Sequence, residues 1–233
     1  MFNPKYQITP TILNNLTKIA EIRAIVSRAQ LLPIRESFLR RAALIKMAHT
    51  STSIEGNTLN EYQVQKVFEG KKLPAEESQI KEVKNYLMAL KLVDRLVQKK
   101  SFFTEKEILG IHKIVVSGLI NPQNIGVFRK VPVYVVNVLS TGEERIVYTP
   151  PIAAKTPSLI KELLFWLKKN QHLHPIIRAG LFHYQFETIH PFTDGNGRVG
   201  RLLTLLHLYQ SGWDFRRSLV LEDYYHRDRK EYY

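Results

Sequence analysis

The sequence predicts a mainly all-α fold with one short β-hairpin. Three features predict it. Apolar residues recur at spacings of three and four along most of the chain. Prolines, Ser/Thr caps and glycines punctuate those stretches. A single Val- and Tyr-rich segment breaks the helical pattern.

Taken in order, Thr9-Pro10 reads as an N-cap with proline at the first helical position, followed by Ile12, Leu16, Ile19, Ala20, Arg23 and Val26. Pro33 opens a second helix through Phe38, Ala42, Ile45 and Met47, which stops at Gly56 and Asn57. Thr58-x-x-Glu61 has the spacing of a capping box, and the short helix it starts ends at Gly70. Glu76 to Lys100 is a long amphipathic helix with Ile80, Val83, Leu87, Leu90 and Val97 facing inward. Thr104-x-x-Glu107 caps the next, through Ile108, Ile111 and Val115. Val131 to Tyr148 reads as two strands around Ser140-Thr141-Gly142-Glu143, a β-hairpin ended by Pro150-Pro151. Helices resume from Thr156-Pro157 through Trp166, from Pro175 to His190, and from Gly197 to Gln210 with Gly212 as the stop. A last helix begins at Glu222 and is still running at Tyr233, so it is expected to continue in a longer gene product.

The 233 residues make one large domain or two small ones. Three regions are expected: a helical region over 1–100, a core over 101–213 that holds the hairpin at 131–148, and the start of a C-terminal helix over 214–233. A composition of 44% hydrophobic and 24% charged residues argues against disorder. With no cysteine, disulfides, thiolate metal sites, Fe–S clusters and cysteine nucleophiles are all excluded. The apolar runs fall far short of the ~18 residues needed to cross a bilayer, and MFNPKYQITP is not a secretory signal. A cytoplasmic protein is expected. The net charge of +13 allows a polyanionic partner, but the basic residues form no stripe interleaved with aromatics and no helix-turn-helix stands out, which argues against nucleic acid.

The chemistry concentrates between His190 and Arg201, in His-Pro-Phe-Thr-Asp-Gly-Asn-Gly-Arg-Val-Gly-Arg. This stretch joins two helical patterns. Gly195, Gly197 and Gly200 let the backbone approach a ligand closely. The loop feeds a helix N-terminus, where free amides and the helix dipole favour an anion. Arg198 and Arg201 lie three apart in the first turn and project to nearly the same side. Together these make a phosphate site. Asp194 is a hard oxygen ligand beside it, suited to Mg²⁺ carried by a nucleotide. His190 is the group able to take a proton at neutral pH.

Rival readings fail on context. Gly195-x-Gly197-x-x-Gly200 matches the dinucleotide fingerprint, but a helix precedes it where a strand is required. No Walker sequence occurs. His183, Glu187 and His190 share a helical face and include an E-x-x-H, yet the second E-x-x-H of a di-metal bundle is missing. His183 reads better as a structural hydrogen-bonder.

The segment HPFTDGNGRVGR resembles the signature of the Fic (Fido) family, HPFx[DE]GNGRxxR, without departure. HPIIRAGLFHYQFETIHPF is similar to the helix leading into that signature, and Asn124-Ile-Gly126-Val-Phe128-Arg129 to the segment before the family's β-hairpin flap. The resemblance implies a Fido helical bundle and transfer of AMP from ATP to a Ser, Thr or Tyr hydroxyl of a protein. His190 would then be the general base and Asp194 the holder of Mg²⁺. Asn196 and the amides around Gly195 and Gly197 would cradle the α-phosphate, and Arg198 and Arg201 would bind the distal phosphates. Phe192 corresponds to a core position. The hairpin would pair with the protein target by strand addition. Tyr232 is the candidate at the adenine, and self-modification is allowed by exposed tyrosines such as Tyr224 and Tyr225.

LLPIRESFLRRAALIKMAHTSTSIEGN resembles the N-terminal region of family members that carry an inhibitory helix, with Ser51-x-x-x-Glu55-Gly56 matching the motif [ST]xxxE[GN]. The resemblance implies autoinhibition: the Glu55 carboxylate pairs with Arg201 and withholds it from the γ-phosphate. The same glutamate, in some relatives, assists removal of AMP, so a bifunctional or de-AMPylating enzyme has the same residues. A phosphate-transferring relative would carry Lys where Gly197 stands, and other relatives use nucleotides such as UTP.

Overall fold

A computed structural model describes residues 2–99, 101–138 and 144–232 of the chain. The turn expected at 140–143, the Lys100 end of the long helix and the last residue, Tyr233, lie outside them.

Helix α1 (Pro10–Arg28) starts as its sequence dictates: the Thr9 hydroxyl accepts from the Ile12 amide at 3.2 Å, with Pro10 behind it. It buries none of its residues. Arg23 is its main tie to the rest, lying over the Trp213 ring at 4.7 Å and donating to Gly212 O at 2.9 Å. Helix α2 (Pro33–Ile54) has an exposed first half and a buried second half, from Ala43 to Ile54. It ends where expected, because Gly56 takes φ +100°, a conformation side chains disfavour.

The next helix corrects the expected cap. Helix α3 (Glu61–Phe68) is capped by Asn60, not Thr58. Asn60 Oδ1 accepts from Gln63 N, and Gln63 Oε1 accepts from Asn60 N, both at 2.9 Å. Thr58 instead gives its hydroxyl to Gln79 at 2.9 Å. The reason is tertiary: Asn57 anchors the 57–59 stretch to the following helix, which delays the helical start by two residues.

Helix α4 (Glu77–Val97) is followed by α5 (Glu105–Val115), whose Thr104/Glu107 capping box forms as its spacing predicts. Strands β1 (Val135–Val138) and β2 (Glu144–Tyr148) pair antiparallel, with Val136 opposite Ile146 and an irregularity between Val135 and Val136. The ladder is therefore shorter than the 131–148 segment that predicts it. Helix α6 (Thr156–Lys169) runs one residue triplet past Trp166, and α7 (Pro175–Ile189) and α8 (Asn196–Gln210) fall close to their expected bounds. The expected terminal helix is instead two pieces, α9 (Leu221–Arg227) and α10 (Arg229–Tyr232). Asp228 leaves helical geometry between them, at φ −129° and ψ 72°. No helix among the described residues is long and apolar enough to cross a membrane.

Helix α8 is the axis of the bundle. Every residue from Arg198 to Tyr209 is buried, so it is a core helix covered all round, packed by α7, α4 and α5 with α2 alongside. One continuous core runs from Ala43 of α2 through Tyr86 and Ile111 to Tyr209. Its glycine-rich N-terminus is thereby fixed rigidly at the meeting point of α2, α4, α5 and α7. Phe182, fully buried and edge-on to Phe103 at 5.6 Å, is a keystone of the α7 side. Phe182→Ala is expected to lower the unfolding free energy by about 3–5 kcal/mol, read from urea denaturation midpoints; a loss under about 1 kcal/mol would contradict this packing.

Candidate active site

Helix α7 ends at a residue that most side chains avoid. His190 has φ 50° and ψ 64°, the left-handed region, which for a non-glycine must be held by its surroundings. Arg129 holds it. This buried guanidinium donates from Nε to His190 O at 2.7 Å and from Nη2 to Pro151 O at 2.5 Å, while the Arg129 amide donates to Pro191 O at 2.9 Å. One side chain thus joins the turn after α7 to the base of the hairpin. His190 Nδ1 lies 3.3 Å from Glu187 O, so a proton on Nδ1 is given to that carbonyl and Nε2 is left as the basic nitrogen. Burial holds the imidazole below its ordinary pKa, so it is neutral and able to accept a proton at pH 7.

The loop is closed on itself. Asn196 Oδ1 accepts from Phe192 N at 2.8 Å, and Asn196 Nδ2 donates to Phe192 O at 2.9 Å. In this state the Asn196 side chain shapes the loop, while the amides of the α8 N-terminus are what it offers an anion. Phe192 is fully buried and stacks on His112 at 3.7 Å, in keeping with a core role. Gly126 N donates to His112 Nδ1 at 3.0 Å, so His112 Nε2 carries the proton and donates to Asp194 O at 3.1 Å. Burial pushes the His112 pKa down to about 4, which keeps that arrangement. Gly195 has φ +81°, and a Cβ there would stand 2.7 Å from Val116 Cγ1, so only glycine fits. Asp194 is half-exposed. Its Oδ1 accepts from the Gly195 amide and, at 2.8 Å, from Arg198 Nη2.

The two arginines differ in depth and in partners. Arg198, with 6% of its side chain exposed, donates from Nη1 to Glu82 of α4. Arg201, with 1% exposed, is enclosed by the end of α2: Nε donates to Ser51 Oγ at 2.9 Å, and Nη2 to Ser51 O at 3.0 Å and to Glu55 Oε1 at 2.7 Å. Burial alone would raise the Glu55 carboxyl, but Arg201 and then Arg198 outweigh it and bring its pKa below the ordinary value. For Arg201, burial pulls downward and Glu55 more than reverses it, so the guanidinium stays charged. Gly197 permits this approach, because a Cβ there would collide with Glu55 Oε1 and sit 2.9 Å from Arg201 Nη1. Gly56, at φ +100°, follows Glu55 directly and turns the chain away from α2. Tyr232 stands on the far side of Arg201. Its hydroxyl lies 3.3 Å from Arg201 Nη1 and 3.0 Å from His183 Nε2, and its ring stacks on Tyr225 at 4.4 Å. His183 also bonds Thr204 at 3.0 Å, the structural role its sequence context suggests.

The structure therefore brings Ser51, Glu55, Asp194, Gly195, Asn196, Gly197, Arg198, Arg201 and Tyr232 around one helix end, with His190 on its rim. It also adds residues that sequence reasoning missed. Glu82 sits one turn before buried Tyr86 on the inward face of α4, and His112 lies between Ile111 and Val115; each is a polar residue at a core position, which is the available signal. Glu187, which the sequence shows only as part of an unmatched E-x-x-H, also lies at the site. Its Oε1 is buried without a hydrogen bond, against Gly200, where a Cβ would collide with it.

The Fic/DOC family profile matches residues 102–208. The solved structure of a Fic family protein from Desulfovibrio desulfuricans G20 superposes with a TM-score of 0.82. It is 31% identical, and the match covers 99% of this chain and 67% of that one. The chain belongs to the Fic family. Among curated relatives, the protein adenylyltransferase Fic of Drosophila mojavensis is 34% identical over 185 residues, covering 76% of this chain and 34% of the relative. That of Culex quinquefasciatus is 34% identical over 184 residues, covering 75% and 34%. This Fic-family chain thus spans about a third of the length of the curated relatives it matches. Fic-1 from C. elegans, 24% identical with a TM-score of 0.75 over 96% of this chain and 65% of that one, shares the fold.

The buried carboxyl of Glu187 gives the site a pH signature. Burial raises its pKa to about 8 from an ordinary 4.5. The folded state therefore favours the protonated form. That contribution is whole below the unfolded pKa and is lost as pH rises through about 8. Glu187→Gln keeps the shape without ionising. Its stability relative to the parent, from urea midpoints, should rise by about 1–3 kcal/mol between pH 5 and pH 8; a difference independent of pH would contradict the assignment.

Proposed function

We propose that this chain transfers AMP from ATP to a hydroxyl of a protein side chain, and that Glu55 restrains the reaction by occupying Arg201. The observation that supports it most is the convergence at the N-terminus of α8. A neutral histidine, a half-exposed carboxylate, free backbone amides and two arginines meet there. That set suits phosphoryl-type transfer, in which positioning and electrostatic stabilisation do most of the catalysis. The names of the curated relatives agree with it.

In this reading His190 Nε2 takes the proton of the target hydroxyl as its oxygen attacks the α-phosphorus. The bond from that phosphorus to the bridging oxygen breaks, and pyrophosphate leaves with the electron pair. The α8 amides and Arg198 hold the phosphates, and Arg201 neutralises the distal charge once Glu55 lets go. The residues also fit Mg²⁺. Among the described residues no cluster of three or more metal-ligating side chains exists, but a nucleotide-borne Mg²⁺ needs only one or two carboxylates besides the phosphates. Asp194 is a half-exposed carboxylate whose Oδ2 accepts no hydrogen bond from the described residues. Bound there, Mg²⁺ would neutralise phosphate charge. The target would lie along the β1–β2 ribbon, whose outer edges are unpaired and whose Tyr134, Val136, Ile146 and Val147 are exposed.

The brake reading follows from competition. A charge-assisted Arg–carboxylate contact is strong when desolvated, and Nε and Nη2 of Arg201 are occupied while Ser51 and Glu55 hold them. With ATP labelled on the α-phosphate and Mg²⁺ in cell lysate, Glu55→Gly should label protein at least about tenfold more than the parent. His190→Ala in that background should abolish the signal. Absence of label in all variants would overturn AMP transfer, and equal labelling of parent and Glu55→Gly would overturn the brake.

A further inference from the structure

Glu82 lies outside the catalytic motif and outside the inhibitory motif, yet it bonds Arg198 of the first and Asn57, the residue that follows the second. It sits on α4 with 14% of its side chain exposed. Its two oxygens are divided. Oε1 accepts from Arg198 Nη1, and Oε2 accepts from Asn57 Nδ2 at 2.8 Å. Asn57 is the residue that follows the inhibitory Glu55-Gly56. Its own side chain is fully used: Nδ2 also donates to Gln79 O at 3.1 Å, and Oδ1 accepts from Leu59 N at 3.0 Å. A single carboxylate therefore fastens the exit of the inhibitory helix and one arginine of the catalytic loop to the same point on α4.

The consequence for Arg198 is directional. Nη1 is committed to Glu82 on the α4 side, Nη2 reaches Asp194 at 2.8 Å, and Nε is buried with no partner. Glu82 thus acts as a counter-charge from behind. It keeps a buried guanidinium from collapsing onto Asp194 alone and leaves the other face of the fork toward the anion site. Removing one partner of a desolvated pair leaves the other charge uncompensated and free to move.

We propose that Glu82 is a positioning residue that aims Arg198 at the nucleotide phosphates and, through Asn57, ties the inhibitory segment to that same arginine. It deepens the AMP-transfer reading and rests on it for the nucleotide, though not for the tether. Two readouts separate these parts. In the Glu55→Gly background, Glu82→Gln keeps the shape and an acceptor for Asn57 but removes the charge facing Arg198. The KM for ATP in α-label transfer should rise about tenfold, with kcat within about twofold, the pattern of lost binding without lost chemistry. Glu82→Asp should recover part of the loss. The same ranking should appear in calorimetric titration with ATP and Mg²⁺, which needs no transfer to occur. An unchanged KM and an unchanged affinity would overturn the positioning role.

The tether is read without nucleotide, by backbone hydrogen exchange in the otherwise unmodified chain. The amides of Glu55, Gly56 and Asn57 bond to Thr52 O, Ser53 O and Thr52 O. Glu82→Ala should speed their exchange at least about tenfold, while amides in the middle of α8 stay protected, which also shows that the variant is folded. Unaltered exchange at residues 55–57 would overturn the tether. If the Glu55→Gly parent neither transfers label nor binds ATP, the AMP-transfer reading fails by itself, and the exchange result still decides the tether.

Discussion

A fully buried guanidinium must be satisfied on every side, and much of the architecture around the site follows from that demand. Arg201 lies in the second turn of the core helix α8, with 1% of its side chain exposed. Five N–H donors at that depth are costly unless each finds an acceptor. Four of the five find one among the described residues: the end of α2 supplies Ser51 Oγ, Ser51 O and Glu55 Oε1 to Nε and Nη2, and Tyr232 supplies its hydroxyl to Nη1. Helices far apart in sequence are in this way drawn to one charge. The second half of α2 is buried through Ala43, Ile45, Met47 and Ala48 in the core and thereby brings Ser51 and Glu55 to Arg201, while its first half is largely exposed.

The same demand explains how an active site and its restraint can be one object. In the proposed reading, the anion that Arg201 receives and the carboxylate that fills its place are chemically alike, so the group that holds Arg201 in this structure would also block the ligand. Gly197 serves both states of that reading, since its missing side chain leaves room for Glu55 here and would leave room for a phosphate in its stead. Arg198 repeats the arrangement nearly one turn earlier, with Glu82 and Asp194 as its carboxylates. The loop from His190 to Gly195 is held from below by Phe192, His112 and Arg129, so on the proposed reading the parts that would exchange partners are the arginine tips and the end of α2.

The legible part of this design was local. The His190–Arg201 stretch is contiguous, and its residues act within one loop and one helical turn, so composition and spacing expose them. Ser51 and Glu55 are four apart on a helix and face the same arginine, a relation visible as spacing once the loop is known. Glu82 and Arg129 were not legible. Glu82 is 116 positions from Arg198, and Arg129 is 61 from His190, and no periodicity links such pairs. The misplaced cap at Thr58 has the same origin: two capping boxes fit the sequence, and Asn57's attachment to α4 selects the later one. The break at Asp228 likewise follows from packing, because Arg229 turns inward to donate to Ile54 O at 2.6 Å.

If Glu55 and the distal phosphates compete for Arg201, calorimetric titration of the parent and Glu55→Gly with ATP and with AMP, each with Mg²⁺, will show it. Removing the carboxylate should tighten ATP at least about tenfold and leave AMP, which has no distal phosphates, nearly unchanged. Equal changes for both nucleotides, or none for ATP, would contradict it.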